Sequence, residues 1–120
     1  MLAEKMEKTG ANCWLINTGW TGGKYGTGKR CPLKYTRAII DAIHDGTLAK
    51  AEFTNFPIFN LQIPKSLENV PDEILDPFKS WPSKDACQSQ LESLAGMFTK
   101  AFEKYKADCS DAVFKAGPQM

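Results

Sequence analysis

The chain has 120 residues, 42% hydrophobic and 24% charged, with a formal net charge of +1. That length allows one modest core, a domain or part of one, in a composition ordinary for a soluble globular protein. The near-neutral balance argues against a nucleic-acid surface, and no apolar run reaches the ~20 residues a membrane span needs, so neither partner is expected.

Leu2 to Thr9 reads as a helix, with Leu2, Ala3 and Met6 on one side and Gly10 as its stop. No Ser, Thr, Asp or Asn caps it, and a helix already under way at Met1 leads us to expect that the natural chain starts earlier. The opening Met1-Leu2-Ala3-Glu4-Lys5 is charged and lacks the apolar stretch of a signal peptide. Cys13, Cys31, Cys87 and Cys109 form no C-x-x-C pair, and with the single His44 they offer no zinc spacing. Reduced thiols in a cytoplasmic protein are the expected state.

Cys13-Trp14-Leu15-Ile16 is a continuous apolar run, predicted as a strand covered on both faces. A glycine-rich segment follows, from Asn17 to Arg30. Gly23 to Lys29 nearly spells a phosphate loop, G-x-x-x-x-G-K, but Arg30 stands where the magnesium-binding Ser or Thr belongs. Cys31-Pro32 also interrupts where a helix should begin. The segment is therefore read as an anion-contacting loop and not as a complete nucleotide-hydrolysing one. Its glycines are expected to serve positive φ angles first. Arg30, at the loop's exit, either lays its planar fork on a phosphate or base, or pairs with a surface carboxylate.

Residues 34–44 are predicted as a helix with an Ala38, Ile39, Ala42, Ile43 stripe, ended by Asp45-Gly46. Thr36 near its start caps the helix or meets a ligand there. His44 has only Asp41 and Asp45 near in sequence, and catalysis by it is disfavoured. Residues 53–63 are aromatic and β-branched, limited by Pro57 and Pro64 to an edge strand or extended connection. Pro71 opens a helical turn over Asp72 to Leu75, in a region whose carboxylates Glu68, Asp72, Glu73 and Asp76 read as solvated surface. Ser83 caps a long helix whose Leu91, Leu94, Ala95, Phe98, Phe102 and Tyr105 recur at helical spacing and are expected to pack against something large. A short helix at 110–116 ends the chain at Gly117-Pro118. Trp14, Trp20 and Trp81 are read as packing residues, with Trp20 placed to border a pocket.

Three stretches together carry a family likeness: Trp14-Leu15-Ile16-Asn17-Thr18-Gly19-Trp20-Thr21-Gly22-Gly23, then Gly28-Lys29-Arg30, then Tyr35-Thr36-Arg37-Ala38-Ile39-Ile40-Asp41-Ala42-Ile43. With Phe56-Pro57-Ile58-Phe59-Asn60-Leu61-Gln62-Ile63-Pro64 and Glu73-Ile74-Leu75-Asp76-Pro77, the chain closely resembles ATP-dependent phosphoenolpyruvate carboxykinase. Ala116-Gly117-Pro118 is similar to that family's C-terminus. The resemblance runs over essentially the whole chain but reaches only the C-terminal portion of a longer enzyme.

The resemblance implies an enzyme that converts oxaloacetate and ATP to phosphoenolpyruvate, ADP and carbon dioxide in gluconeogenesis, by decarboxylation to an enolate that takes the γ-phosphoryl group. It implies a mixed, incomplete α/β fold of short strands, glycine loop and terminal helices. Residues 1–120 would be the C-terminal part of the catalytic, nucleotide-binding domain, with the phosphate loop and N-terminal domain missing. No catalytic residue or metal ligand is carried over, and the Mg2+ and Mn2+ ligands of the intact enzyme are expected outside this segment. By similarity Arg30 contacts the ATP phosphates or purine, while the Cys31 backbone and Thr36 flank the adenine. Cys31 stands where the family is commonly aliphatic, so only its backbone role carries over. ATP and oxaloacetate are the implied ligands, and a homo-oligomer is left open. Two other classes remain: a non-catalytic nucleotide- or anion-binding module, and a truncated structural remnant.

Overall fold

The computed structural model describes residues 1–119. Helix α1 (Leu2–Thr9) ends at Gly10, whose left-handed φ of 64° lets its N–H reach back 2.8 Å to the Met6 carbonyl. It has no buried residue. The predicted strand at 13–16 does not form: residues 11–18 have no regular structure, and Leu15 is 85% exposed. A strand needs a neighbour for its backbone groups. Among the described residues, the two sheets are antiparallel hairpins that each pair only with themselves. Of the four apolar side chains only Trp14 is tucked in, against the core and 6.3 Å from the Phe53 ring.

The first hairpin joins β1 (Trp20–Thr21) to β2 (Lys29–Arg30) and is followed by α2 (Leu33–His44). Pro32, with φ −58°, occupies the position before α2, so the helix begins one residue earlier than expected. Asp45 and a left-handed Gly46 end it, and a 3-10 turn (Leu48–Lys50) folds back to bury Leu48.

Residues 53–64 are a hairpin rather than one extended piece. β3 (Phe53–Phe56) pairs with β4 (Leu61–Pro64), in register from Phe53↔Pro64 to Phe56↔Leu61. Neither proline obstructs it. Pro57 falls in the turn, and Lys65 N–H donates to the Glu52 carbonyl at 2.9 Å, which makes the adjacent Phe53–Pro64 pair one whose N–H positions face outward.

Pro71 opens α3 (Asp72–Leu75) as expected. A further turn, α4 (Pro77–Ser80), follows at once, with Asp76 accepting from the Phe78 N–H at 3.0 Å. Ser83 caps α5 (Lys84–Phe102) by accepting from Ala86 N–H, and Ser110 does the same for α6 (Asp111–Lys115) from Val113 N–H. A 3-10 segment (Glu103–Asp108) lies between them.

The core is Ala42, Leu48, Leu67 and Val70, with Ile39, Ile43 and Ile74 packed on it. The α5 stripe does not form the core expected of it. Ala95 is fully buried, but Phe98 is 54% exposed and touches Phe59 edge-on at 5.7 Å. Tyr105 is likewise half exposed. Met97 is exposed as well, at 55%. The radius of gyration is 15.9 Å, against about 14 Å for a compact domain of this size. The result is a mixed α/β architecture with apolar surface left open.

Candidate functional site

The glycine loop, residues 22–28, is held by its own backbone. The Lys24 carbonyl accepts from Thr27 N–H at 3.0 Å and Gly28 N–H at 2.9 Å. Gly22 adopts a left-handed φ of 77°. Gly28 is required for a different reason: a Cβ there would strike the Gly23 carbonyl and lie 2.8 Å from the Thr21 carbonyl, so only glycine lets the two arms close. Trp20 stands opposite Arg30 and Thr21 opposite Lys29, and Cys31 N–H extends the ladder to the Gly19 carbonyl at 2.9 Å. Tyr25 folds back edge-on to Trp20, with ring centroids 5.1 Å apart.

Lys29 lies in a strand, with Arg30, Cys31 and Pro32 between it and α2. It is therefore not at a helix start, where a phosphate loop would place its lysine. The imitation noted in the sequence is an imitation in space too.

Arg30 is exposed and makes no ion pair among the described residues, so the surface-carboxylate alternative is not realised. Cys31 is half-buried, and its N–H is engaged by Gly19, which leaves its carbonyl as the available backbone group. Thr36 is half-buried in the first turn of α2. That helix has no side-chain cap, and the Thr36 hydroxyl makes no hydrogen bond among the described residues, so the capping alternative is not realised either. Arg30 and Cys31 thus leave the hairpin together, and Thr36 follows across Pro32. Cys31 lines a cleft of about 170 Å³ with Trp20, Gly22, Pro77, Ser80 and Trp81. A second cleft of about 430 Å³ runs along the loop's Thr27, Gly28 and Lys29 toward Glu73 and Lys79.

The α4 side of these clefts is what sequence reasoning missed. The local signal was present, since Asp76-Pro77 is a capping residue followed by proline at the first helical position.

His44 is exposed at the end of α2, and the neighbouring Asp45 turns its carboxylate onward to Thr47 N–H at 2.7 Å. Hydrogen bonds from the Thr47 side chain and backbone hold the Asp45 carboxyl below its ordinary range. Asp72 pairs with Lys79 at 3.1 Å. Burial, with a smaller push from Asp76, raises the Cys87 thiol, which keeps it protonated and inert. Among the described residues no three His, Cys, Asp or Glu side chains are grouped to hold a metal.

A family model described as phosphoenolpyruvate carboxykinase matches residues 1–73. A phosphoenolpyruvate carboxykinase (ATP) of Candida glabrata is 57% identical over 122 residues, covering 100% of this chain and 22% of its own length. The Neurospora crassa protein of the same name is 50% identical over 98% of this chain and 20% of its own length, and that of Zea mays is 49% identical over 100% and 19%. The chain thus spans about a fifth of the length of the curated relatives it matches. With relatives of that identity matched over the whole chain and the family model matched over residues 1–73, the chain belongs to the ATP-dependent phosphoenolpyruvate carboxykinase family.

Proposed function

We propose that this chain is the C-terminal segment of a cytoplasmic, gluconeogenic phosphoenolpyruvate carboxykinase and forms the adenosine side of its ATP site. The intact enzyme converts oxaloacetate and ATP to phosphoenolpyruvate, ADP and carbon dioxide. In that role Arg30 grips phosphate or purine, and the Cys31 carbonyl and Thr36 hydroxyl flank the adenine. The observation that carries the reading is Arg30 itself. It is a planar cation at the exit of a self-supported glycine hairpin, exposed and paired to no carboxylate of the described residues.

Magnesium and manganese would neutralise phosphate charge during the transfer. On this reading the ligands of both ions lie outside the segment, which contributes binding and orientation; among the described residues no three His, Cys, Asp or Glu side chains are grouped. Alone it is expected to be inactive.

The test joins this chain to the rest of the Candida glabrata relative in place of the aligned segment. Oxaloacetate- and ATP-dependent phosphoenolpyruvate formation is expected, with Arg30→Ala raising the KM for ATP roughly tenfold or more. An unchanged ATP dependence would remove the assigned role. Turnover by the separate 120-residue chain would overturn the placement of the chemistry elsewhere. Micromolar binding of ATP by that chain, without turnover, would favour the binding-module reading.

A further inference from the structure

We infer that α4 and Trp81 form a seat that sets where the glycine hairpin presents Arg30, with Gly22 and Trp81 as positioning residues for the nucleotide. The inference rests on the nucleotide reading above.

A hairpin of two paired residues per strand does not hold its own orientation, since even longer isolated hairpins are marginal in water. Its outer end gives no help: Tyr25 is 81% exposed. The inner end does. A Cβ on Gly22 would lie 3.2 Å from the Ser80 carbonyl, so the loop backbone rests directly on the end of α4. Beside that contact, Trp20 and Trp81 wall the same small cleft, which Cys31 and Pro77 also line.

The seat is itself fixed. Asp76 caps α4, Lys79 pairs with Asp72 of α3, and the Phe78 ring lies 5.5 Å from the buried Phe56 of β3. The link to Arg30 is then short. Trp20 opposes Arg30 in the ladder, and the Cys31–Gly19 bond ties the next pair, so the two arms move together. Lifting Gly22 or hollowing the cleft at Trp81 therefore shifts the guanidinium. Misplacing a binding group by about an ångström is enough to lose much of its effect.

The experiment uses the joined full-length enzyme and four variants: Gly22→Ala, Trp81→Ala, Trp81→Phe and Arg30→Ala. Gly22→Ala and Trp81→Ala are expected to raise the KM for ATP roughly tenfold to a hundredfold while the KM for oxaloacetate stays put. Trp81→Phe should recover most of the loss. Combining Trp81→Ala with Arg30→Ala should add nothing to Arg30→Ala alone, because the seat acts through that residue. A rise in ATP KM for Arg30→Ala but for neither seat variant overturns the inference and leaves the nucleotide reading standing. No rise in any variant overturns both. Losses that add to Arg30→Ala, or that strike ATP and oxaloacetate alike, reduce Trp81 to packing and overturn the inference. Should Gly22→Ala not fold, Trp81→Ala decides, since it leaves the loop backbone untouched.

Discussion

Gln119 donates its backbone N–H to the carbonyl of Ile58 at 2.7 Å, fastening the segment after α6 to the tip of the β3–β4 hairpin. Ile58 is an unusual anchor. It is β-branched yet has a φ of 67°, and Phe59 N–H closes a three-residue turn across it to the Pro57 carbonyl at 2.7 Å. That conformation costs about 1–2 kcal/mol for such a residue and persists only where its surroundings enforce it. Ile58→Gly should therefore keep the turn and be close to neutral or stabilising, despite the lost side chain. Shortening the chain to end at Pro118 should remove about 1 kcal/mol. Urea midpoints followed by circular dichroism on dilute protein check both. A large loss in Ile58→Gly would mean that the side chain, not the strain, dominates.

Gly28→Ala should disrupt the first hairpin without touching the core. The new Cβ has no place beside the Gly23 and Thr21 carbonyls, so the arms must part. A local loss of more than about 1 kcal/mol is expected. Hydrogen exchange of the Cys31 amide reports it directly, because that N–H is bonded to Gly19 only while the arms are closed. Unchanged protection would show that the loop has slack the packing does not reveal.

The four thiols should separate by accessibility. Cys13 is exposed, Cys31 and Cys109 are partly covered, and Cys87 is buried with its thiol pushed up by burial. An aromatic disulfide reagent at neutral pH should modify Cys13 first and leave Cys87 untouched until the protein unfolds. Peptide mapping of the labelled protein reads the order. Early labelling of Cys87 would indicate that α5 lifts from α4.

Asp45 makes a signed contribution to acid stability. Its folded value lies below the ordinary 3.8, held there by Thr47, so the fold favours the charged carboxylate. The contribution is present above pH 3.8 and is lost as pH falls from there through the folded value. Asp45→Asn should flatten that part of the acid limb and leave stability above it nearly parallel to the wild type. The group is fully exposed, so the effect is small. Acid titration of the melting temperature distinguishes the two curves.

Much of the helical structure was legible because its signals are local. Gly10, Gly46, Pro71, Ser83 and Ser110 each act within a turn of the helix end they mark. Strands are different. The apolar run at 13–16 has strand composition but no partner among the described residues, whereas residues 53–64 became a hairpin through a turn that a non-glycine residue enters only under constraint. The α5 stripe had the spacing of a core helix, yet spacing does not say whether a covering face exists.

The amino-acid order alone determined the family, several caps and the residues to watch: Arg30 and Cys31 are adjacent in it with Thr36 five residues beyond Cys31, and their identities need no folding to be read. Only the tertiary structure decided that, among the described residues, Arg30 meets no carboxylate and Thr36 caps nothing, and that Gly22 rests on Ser80. The physical reason is that side-chain chemistry belongs to the residue, whereas pairing, burial and close approach depend on segments distant in the chain, which composition and periodicity do not bring together.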